Sequence, residues 1–318
     1  VSFPSPSLTP PTLANWQFGY NGVVIGASQP AGVLQVQGLG DLATIRSGDI
    51  ARPRDHGELI GLDVFGGRDI QINVAAFTDN TSLQDTLNQI ANATPAGLTT
   101  EQPLWFNIPG YPAPLCSMVR TRKRATPWDF NFSAAVFAQP VLTLHSTDPR
   151  IYAAGQQVTV GLPTPTGGLT FPATFPLTFG SGGGGGVVVQ NAGNTEMRPV
   201  LVITGPVTNP QVANGSISGT PTVKFSNPLQ TSYTVLAGDQ LVVDLDLHTI
   251  LYYTGGVGAS APASRGNWLV SGSTWWDLLP ASGPNAITGG NNTIQFNSAD
   301  SVSVAGTCTV QWASAYQL

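Results

Sequence analysis

The chain has 318 residues, enough for two domains at roughly 100–200 residues each. Only 9% are Asp, Glu, Lys or Arg, and 12 basic against 17 acidic residues give a formal charge of −5. That balance argues against non-specific nucleic-acid binding, which needs a basic excess to displace counterions. Gly (37) and Pro (26) are abundant, so turns are frequent and strong helix formers scarce, and the expected fold is mainly β. A sparsely charged surface repels neighbours weakly and suits a protein that packs against partners.

In chain order, the Pro- and Ser-rich start, to about Thr12, cannot run inside a ladder and is expected to be an arm or an edge. It lacks the basic and apolar regions of a signal peptide, and no apolar run reaches membrane-spanning length, so synthesis and assembly in a cytoplasm-like compartment are expected. Strand-like runs follow at 22–25, 33–37 and 62–65, and Ile70, Ile72 and Val74 would share one face. The segment 82–92 places Leu83, Leu87, Ile90 and Ala91 on one helical face, with Ser82 and Asp85 spaced as a capping box and Pro95 as a stop. Further strand runs are expected at 104–108, 117–120, 130–137 and 141–152. Nine of the 12 basic residues lie at or before Arg150, which sets the expected boundary: a first domain at 1–155 and a second at 156–318.

The second half opens on a tract of Pro, Thr and Gly. Gly180–Gly186 is read as a flexible loop inserted between strands. Strands are expected at 187–189, 200–203, 223–225, 240–253, 293–296, 302–304 and 309–312. In the run 240–253, Leu241, Val243, Leu245 and Leu247 would face inward, and Val242, Asp244, Asp246 and His248 outward, as in a sandwich strand. Cys116 and Cys308 fall in different domains and are read as free thiols.

No residues form a convincing catalytic, cofactor-binding or metal-ligating set, and the chain reads as a non-enzyme. His56, His145 and His248 match no zinc spacing. Asp244 and Asp246 read as a polar strand face. The glycine run lacks a Walker lysine, and no G-x-S-x-G elbow occurs. The cluster Arg120-Thr-Arg122-Lys123-Arg124 would place its arginines on one strand face and Lys123 opposite. It could be a solvated edge, a partner for carboxylates of a neighbouring subunit (Asp49, Asp55, Glu58 or Asp69), or a nucleic-acid contact. Trp268, Trp275 and Trp276 are the candidates for sugar stacking, although neighbours on a strand face opposite ways.

The order of motifs resembles the distal tail proteins (Dit) of long-tailed, non-contractile phages, over nearly the whole chain. The first half carries Arg46-Ser-Gly-Asp-Ile50, Gly67-Arg-Asp-Ile-Gln-Ile-Asn-Val74, a single Leu-spaced helix and Ser146-Thr-Asp-Pro-Arg-Ile-Tyr152. The second carries Asn191-Ala-Gly through Ile203-Thr-Gly205, Ala237-Gly-Asp-Gln-Leu-Val-Val-Asp244 and Gly290-Asn-Asn-Thr-Ile-Gln-Phe296. The resemblance implies a ring-forming β domain with one helix, followed by a galectin-like β-sandwich. Six copies would close a ring at the distal end of the tail in the virion. The ring would join the tail tube protein to the tail-associated tip or hub protein. Its channel would pass the tape measure protein and then the genome DNA, and its outer domain could dock receptor-binding proteins. The alternative reading is a carbohydrate-binding host-recognition module. Candidate interface residues are the Pro-rich arm and Arg46, Asp49, Arg52, Arg54, Asp55 and Glu58, together with Arg120, Arg122 and Arg124. The loop Ala281–Gly289 departs from the family pattern, which puts a carried-over docking surface in question.

Overall fold

The computed structural model describes residues 3, 5, 8–77, 80–111, 114–128, 137–163, 185–226, 234–298 and 305–318. The chain is mainly β, with one α-helix among the described residues. It divides into two compact units, residues 8–154 with 316–318, and residues 155–315.

In the N-terminal unit, β1 (Gln17–Tyr20) and β2 (Val23–Gly26) form a hairpin. Asn21 and Gly22 between them both take positive φ, 45° and 81°, the backbone that a two-residue turn matching the strand twist requires. β3 (Ala31–Gln37) leads into four two-residue strands, β4 (Ile45–Arg46), β5 (Ile50–Ala51), β6 (Glu58–Leu59) and β7 (Val64–Phe65). Then come β8 (Arg68–Phe77), α1 (Asn80–Ala93), β9 (Gln102–Asn107), β10 (Leu115–Ala125), β11 (Phe137–Ala138), β12 (Val141–Ser146) and β13 (Ile151–Tyr152). The main sheet runs β11-β8-β12-β10-β9-β1-β2, with β3 on the other edge of β8. Ile70, Ile72 and Val74 of β8 are buried as the alternation predicts, and they meet Phe18, Leu104, Phe106, Leu142 and Leu144 in one core.

The helix lays Leu83, Thr86, Ile90 and Ala93 inward. Ile90 joins the main core, and Leu83 packs with Ala76 and Ala138; each large aliphatic side chain so buried contributes about 1.5–3 kcal/mol. The helix begins at Asn80, two residues before the expected cap, so Ser82 lies inside the first turn rather than ahead of it. Its other end is held by side chains. Thr94 Oγ1 donates to Ile90 O at 2.6 Å and Asn21 Nδ2 to Ala93 O at 2.7 Å. Ile90 O also accepts from Thr94 N at 3.1 Å, so the hydroxyl is its second donor, while Asn21 caps the Ala93 carbonyl at the end of the last turn, and Pro95 ends the run.

The C-terminal unit is a two-sheet sandwich. Its elements are β14 (Gln156–Gly161), β15 (Gly186–Gln190), β16 (Val200–Thr204), β17 (Val207–Thr208), β18 (Pro210–Asn214), β19 (Thr222–Lys224), β20 (Thr234–Val235), β21 (Gln240–Asp244), β22 (Thr249–Tyr253), β23 (Ala263–Ser264), β24 (Asn291–Ser298) and β25 (Thr307–Trp312), with the short β26 (Ala315–Tyr316) at the chain's end. One sheet runs β14-β25-β16-β21-β22-β23 and the other β15-β24-β18-β19. The two sheets bury Leu201, Ile203, Leu241, Val243 and Val310 from the first and Val189, Val212, Ile294 and Phe296 from the second, the alternate positions a sandwich requires.

The run 240–253 is a hairpin of β21 and β22, not one strand. Asp244 ends β21 and is buried rather than outward. Its Oδ1 accepts from the backbone N–H groups of Asp246 (2.9 Å) and Leu247 (3.0 Å), and this carboxylate-capped turn reverses the chain where uninterrupted alternation suggested continuation. Leu247, expected inward, is exposed on the turn. The expected strands over 130–136 and 302–304, and the glycine tract 180–184, lie outside the described residues.

Three side chains hold the irregular segments of the sandwich. Asn191, Asn214 and Asn292 are fully buried. Asn191 Nδ2 donates to Thr195 O and Leu278 O, while its Oδ1 accepts from Gly193 N and Ala315 N. Asn292 Nδ2 donates to Leu279 O and Gly290 O, and its Oδ1 accepts from Leu279 N and from Asn214 Nδ2. Each amide thus replaces a ladder partner for chain that cannot pair as a strand. The backbones come so close here that a Cβ on Gly193 would lie 1.7 Å from Ala315 O. Of these residues, Asn191, Gly193, Gly290 and Asn292 belong to the second-half motifs.

Candidate functional site

The residues from Thr44 to Gly66 form a ribbon that pairs only with itself. β4 pairs with β7 (Ile45↔Phe65, Arg46↔Val64) and β5 with β6 (Ile50↔Leu59, Ala51↔Glu58). The two short ladders meet at a waist where Gly48 and Gly61 face each other; a Cβ on Gly61 would fall 2.0 Å from Gly48 O. Asp49 staples this waist by accepting from Gly61 N at 2.7 Å, and that bond, with Ser47, holds its carboxyl below the usual range. Every residue from 44 to 60 is exposed.

Apart from Asp49, the charges of this ribbon that stand out in the sequence contribute little to its fold. Arg52 reaches Asp55 only at 3.9 Å, with both side chains largely in solvent, a pair worth at most about 1 kcal/mol. Arg46, Arg54 and Glu58 have no partner among the described residues. The apolar side chains are the larger feature. Ile60 is 97% exposed, Leu62 80% and Ile50 65%, and Leu59, Val64 and Phe65 are exposed beside them. An isolated two-stranded ribbon is marginal in water, and exposed apolar surface on this scale is a feature that interaction sites present. The charges of this segment stood out in the sequence, and 62–65 read as a strand run; only Val64–Phe65 is strand, and the exposure of these apolar residues had no signal in the sequence.

The basic cluster lies on β10, and its expected geometry is corrected. Register shifts between Thr121 and Lys123 against β12, so Arg122 is the extra residue of a β-bulge. Arg120 pairs with His145 and Lys123 with Thr143, whereas Arg124 pairs with Leu142. Arg120 and Lys123 therefore share the outer face, and Arg124 turns to the opposite one, over the end of α1. There its Nη1 donates to Ala91 O (2.8 Å), Thr94 Oγ1 (2.8 Å) and Thr94 O (3.3 Å). Arg124 is a helix C-cap, not a member of a surface patch. Asp69, a candidate partner for the cluster, is taken by His145 Nδ1 at 2.6 Å.

The motif Ser146–Tyr152 is likewise structural. Asp148 is buried and accepts from Tyr152 Oη (2.5 Å), Arg150 N (3.0 Å) and Arg150 Nε (3.0 Å). Buried Arg68 donates to Pro149 O and to Gly38 O and Leu39 O, tying this corner to the base of the ribbon.

The three tryptophans do not make one platform. Trp276 is buried in the sandwich. Trp275 stacks on His248, ring centroids 4.6 Å apart and planes at 20°. Trp268 carries the Arg265 guanidinium 4.5 Å from its ring centroid and meets Tyr252 edge-on at 5.7 Å. Their rings are thus engaged by the protein itself. His56 lies on the exposed tip of the ribbon. Among the described residues no three His, Cys, Asp or Glu side chains gather as a metal site. Both cysteines are free and buried, and burial pushes the Cys308 thiol up to about 12 and the Cys116 thiol up as well.

No family model matches the sequence, and no curated protein is significantly similar to it. Among solved structures, the fold is similar to that of the Dit protein of phage SPP1, described as a paradigm of the hub adsorption apparatus in phages that infect Gram-positive hosts. The TM-score is 0.56 at 13% identity, over 93% of this chain and 97% of that one. Two structures of the phage P2 baseplate in its activated conformation, with Ca and with Sr, match over the same shares at 9% identity and TM-scores of 0.44 and 0.43. At such identities the likeness is one of architecture: across both its units, this chain is built on the fold of the SPP1 Dit protein.

Proposed function

We propose that the chain is a structural protein of a long non-contractile phage tail, forming a ring, of six copies, at the distal end in the virion. In this reading it does no chemistry. It joins the tail tube to the tip or baseplate hub, and its channel admits the tape measure protein and then DNA. Receptor-binding proteins are possible dockers on the C-terminal unit. The observation that carries the proposal is the fold likeness to SPP1 Dit, which spans both units rather than one. The exposed ribbon supports it independently. A projecting apolar element on one subunit, received by a different surface on the next, makes a head-to-tail interface, and such interfaces close into rings. Arg46, Asp49, Arg52, Arg54, Asp55 and Glu58 then lie at that interface as its polar rim.

The test is the mass of the purified protein at increasing concentration, with images of the particles, for the wild type and for a variant whose residues 45–65 are replaced by a short turn. The expected result is a closed ring for the wild type and a folded monomer for the variant. A ring that survives loss of the ribbon removes the ribbon from the interface. Monomers alone, both in isolation and in the presence of a tail tube protein, would reject the ring.

A further inference from the structure

The basic strip on β10 has a complement on the ribbon of the same chain, and each is without a partner in the single subunit. The bulge at Arg122 brings Arg120 and Lys123 to one outer face and leaves Arg122 exposed beside them. Neighbouring carboxylates do not neutralise the strip: Asp69 is bound by His145, and Glu101 accepts from Thr147 N at 2.8 Å. Among the described residues Arg120, Arg122 and Lys123 pair with no acid, and Arg120 Nε is buried without a hydrogen bond. On the ribbon, Asp49 is held by Gly61 N and Asp55 sits near Arg52. Glu58 and Asp63 are the acids left without partners there.

We infer that the strip Arg120–Lys123 of one copy receives the Glu58 and Asp63 edge of the ribbon of a second copy. The inference rests on the ring reading and adds its polar register. Apolar side chains of the ribbon supply the driving force, and the charges fix which copy and which orientation is accepted. A bulge is a device for re-aiming side chains at a sheet edge, and here it converts an alternating cluster into adjacent cations. Two different patches on one subunit are what a head-to-tail contact needs; a two-fold dimer would require one self-complementary patch.

The chain has only two lysines, Lys123 and Lys224, so zero-length carbodiimide coupling of amines to carboxylates reads the contact directly. Mixed ordinary and ¹⁵N-labelled full-length chains distinguish links between copies from links within one. The expected product joins Lys123 of one chain to Glu58 or Asp63 of another. Arg122→Glu with Lys123→Glu should weaken self-association about tenfold or more, and adding Glu58→Lys with Asp63→Lys in the same chain should restore it. All four positions are exposed or at a turn, so the subunit fold is kept, which far-UV circular dichroism checks. Rings that form with Lys123 linked to none of the ribbon's acids, or reversal variants of undiminished mass, overturn the pairing but leave the ring. Absence of any self-association overturns both. Salt-sensitive binding of a DNA duplex, lost in the Arg122→Glu, Lys123→Glu variant while its mass is unchanged, would assign the strip to a polyanion instead.

Discussion

Replacing Asn292 by Leu keeps the number and branching of the side-chain heavy atoms and removes the polar chemistry, while the two methyls also take more room than the amide they replace. Asn292 is fully buried and makes four hydrogen bonds, two to Leu279 (2.9 Å each, one donated and one accepted), one to Gly290 O (2.9 Å) and one from Asn214 Nδ2 (3.1 Å). Gly290 O keeps the Asn191 N–H as donor, and Asn214 Nδ2 keeps Asp277 O. The N–H and C=O of Leu279 are the groups left orphaned. At about 1–3 kcal/mol for each of the two unsatisfied groups, the loss is about 2–6 kcal/mol, a large part of the roughly 5–15 kcal/mol that holds a domain folded. In urea, with a slope of about 2 kcal/mol per M, the transition of the C-terminal unit should move down by about 1–3 M. Amide exchange should rise first in the segment 277–290, which the side chain pins. A loss under about 0.5 kcal/mol, with unchanged exchange there, would refute the view that buried amides substitute for strand pairing in this loop.

Three further outcomes follow from individual contacts. Arg124→Ala should cost about 1 kcal/mol through loss of the α1 cap, seen as faster amide exchange over residues 90–94 with β10 protection retained. Native protein at pH 8 should leave both thiols unlabelled by a disulfide reagent, because burial raises the Cys116 and Cys308 pKa values; rapid labelling without unfolding contradicts the core placement. Asp239 is held below the usual carboxylate range, first by the Tyr252 phenol and then by Gly255 N. A depressed carboxyl stabilises above its unfolded pKa, and that contribution fades as pH falls through the folded value. Tyr252→Phe should therefore lose stability near neutrality and show a shallower decline below about pH 4, and parallel urea titrations of the two proteins at pH 2–7 check it.

The mainly β class, the strand at Ile70–Val74 and the lone helix were legible because they rest on local rules. Alternation of period two and a leucine spacing near 3.6 report which side will be buried whatever it is buried against. The candidate site was legible only in part. The segment Arg46–Glu58 stood out for its charges, but its exposed Ile50, Ile60 and Leu62 did not, since apolar residues in sequence normally imply burial within the chain. The arginine cluster looked uniform along the chain, and a one-residue bulge divided it into Arg124, which caps a helix, and Arg120 with Lys123, which face outward. Bulges arise from register against a partner strand and leave no local signature. β21 ended at Asp244 for a local reason instead: its carboxylate accepts from the backbone of Asp246 and Leu247, and these turn hydrogen bonds overrode an alternating pattern.

By itself, then, the sequence determined the class of fold, the helix and, through the order of its motifs, the resemblance to a phage tail protein. Only the tertiary structure decided what those motif residues do. Asn191, Asn292, Asp148 and Gly193 hold irregular backbone together, because buried polar groups must be satisfied by whatever the fold brings within hydrogen-bonding distance. Among the described residues the ribbon leaves Ile50, Ile60 and Leu62 exposed, and the bulged strip leaves Arg122 and Lys123 exposed. Whether a residue is covered depends on the whole chain's packing, which no window of sequence contains.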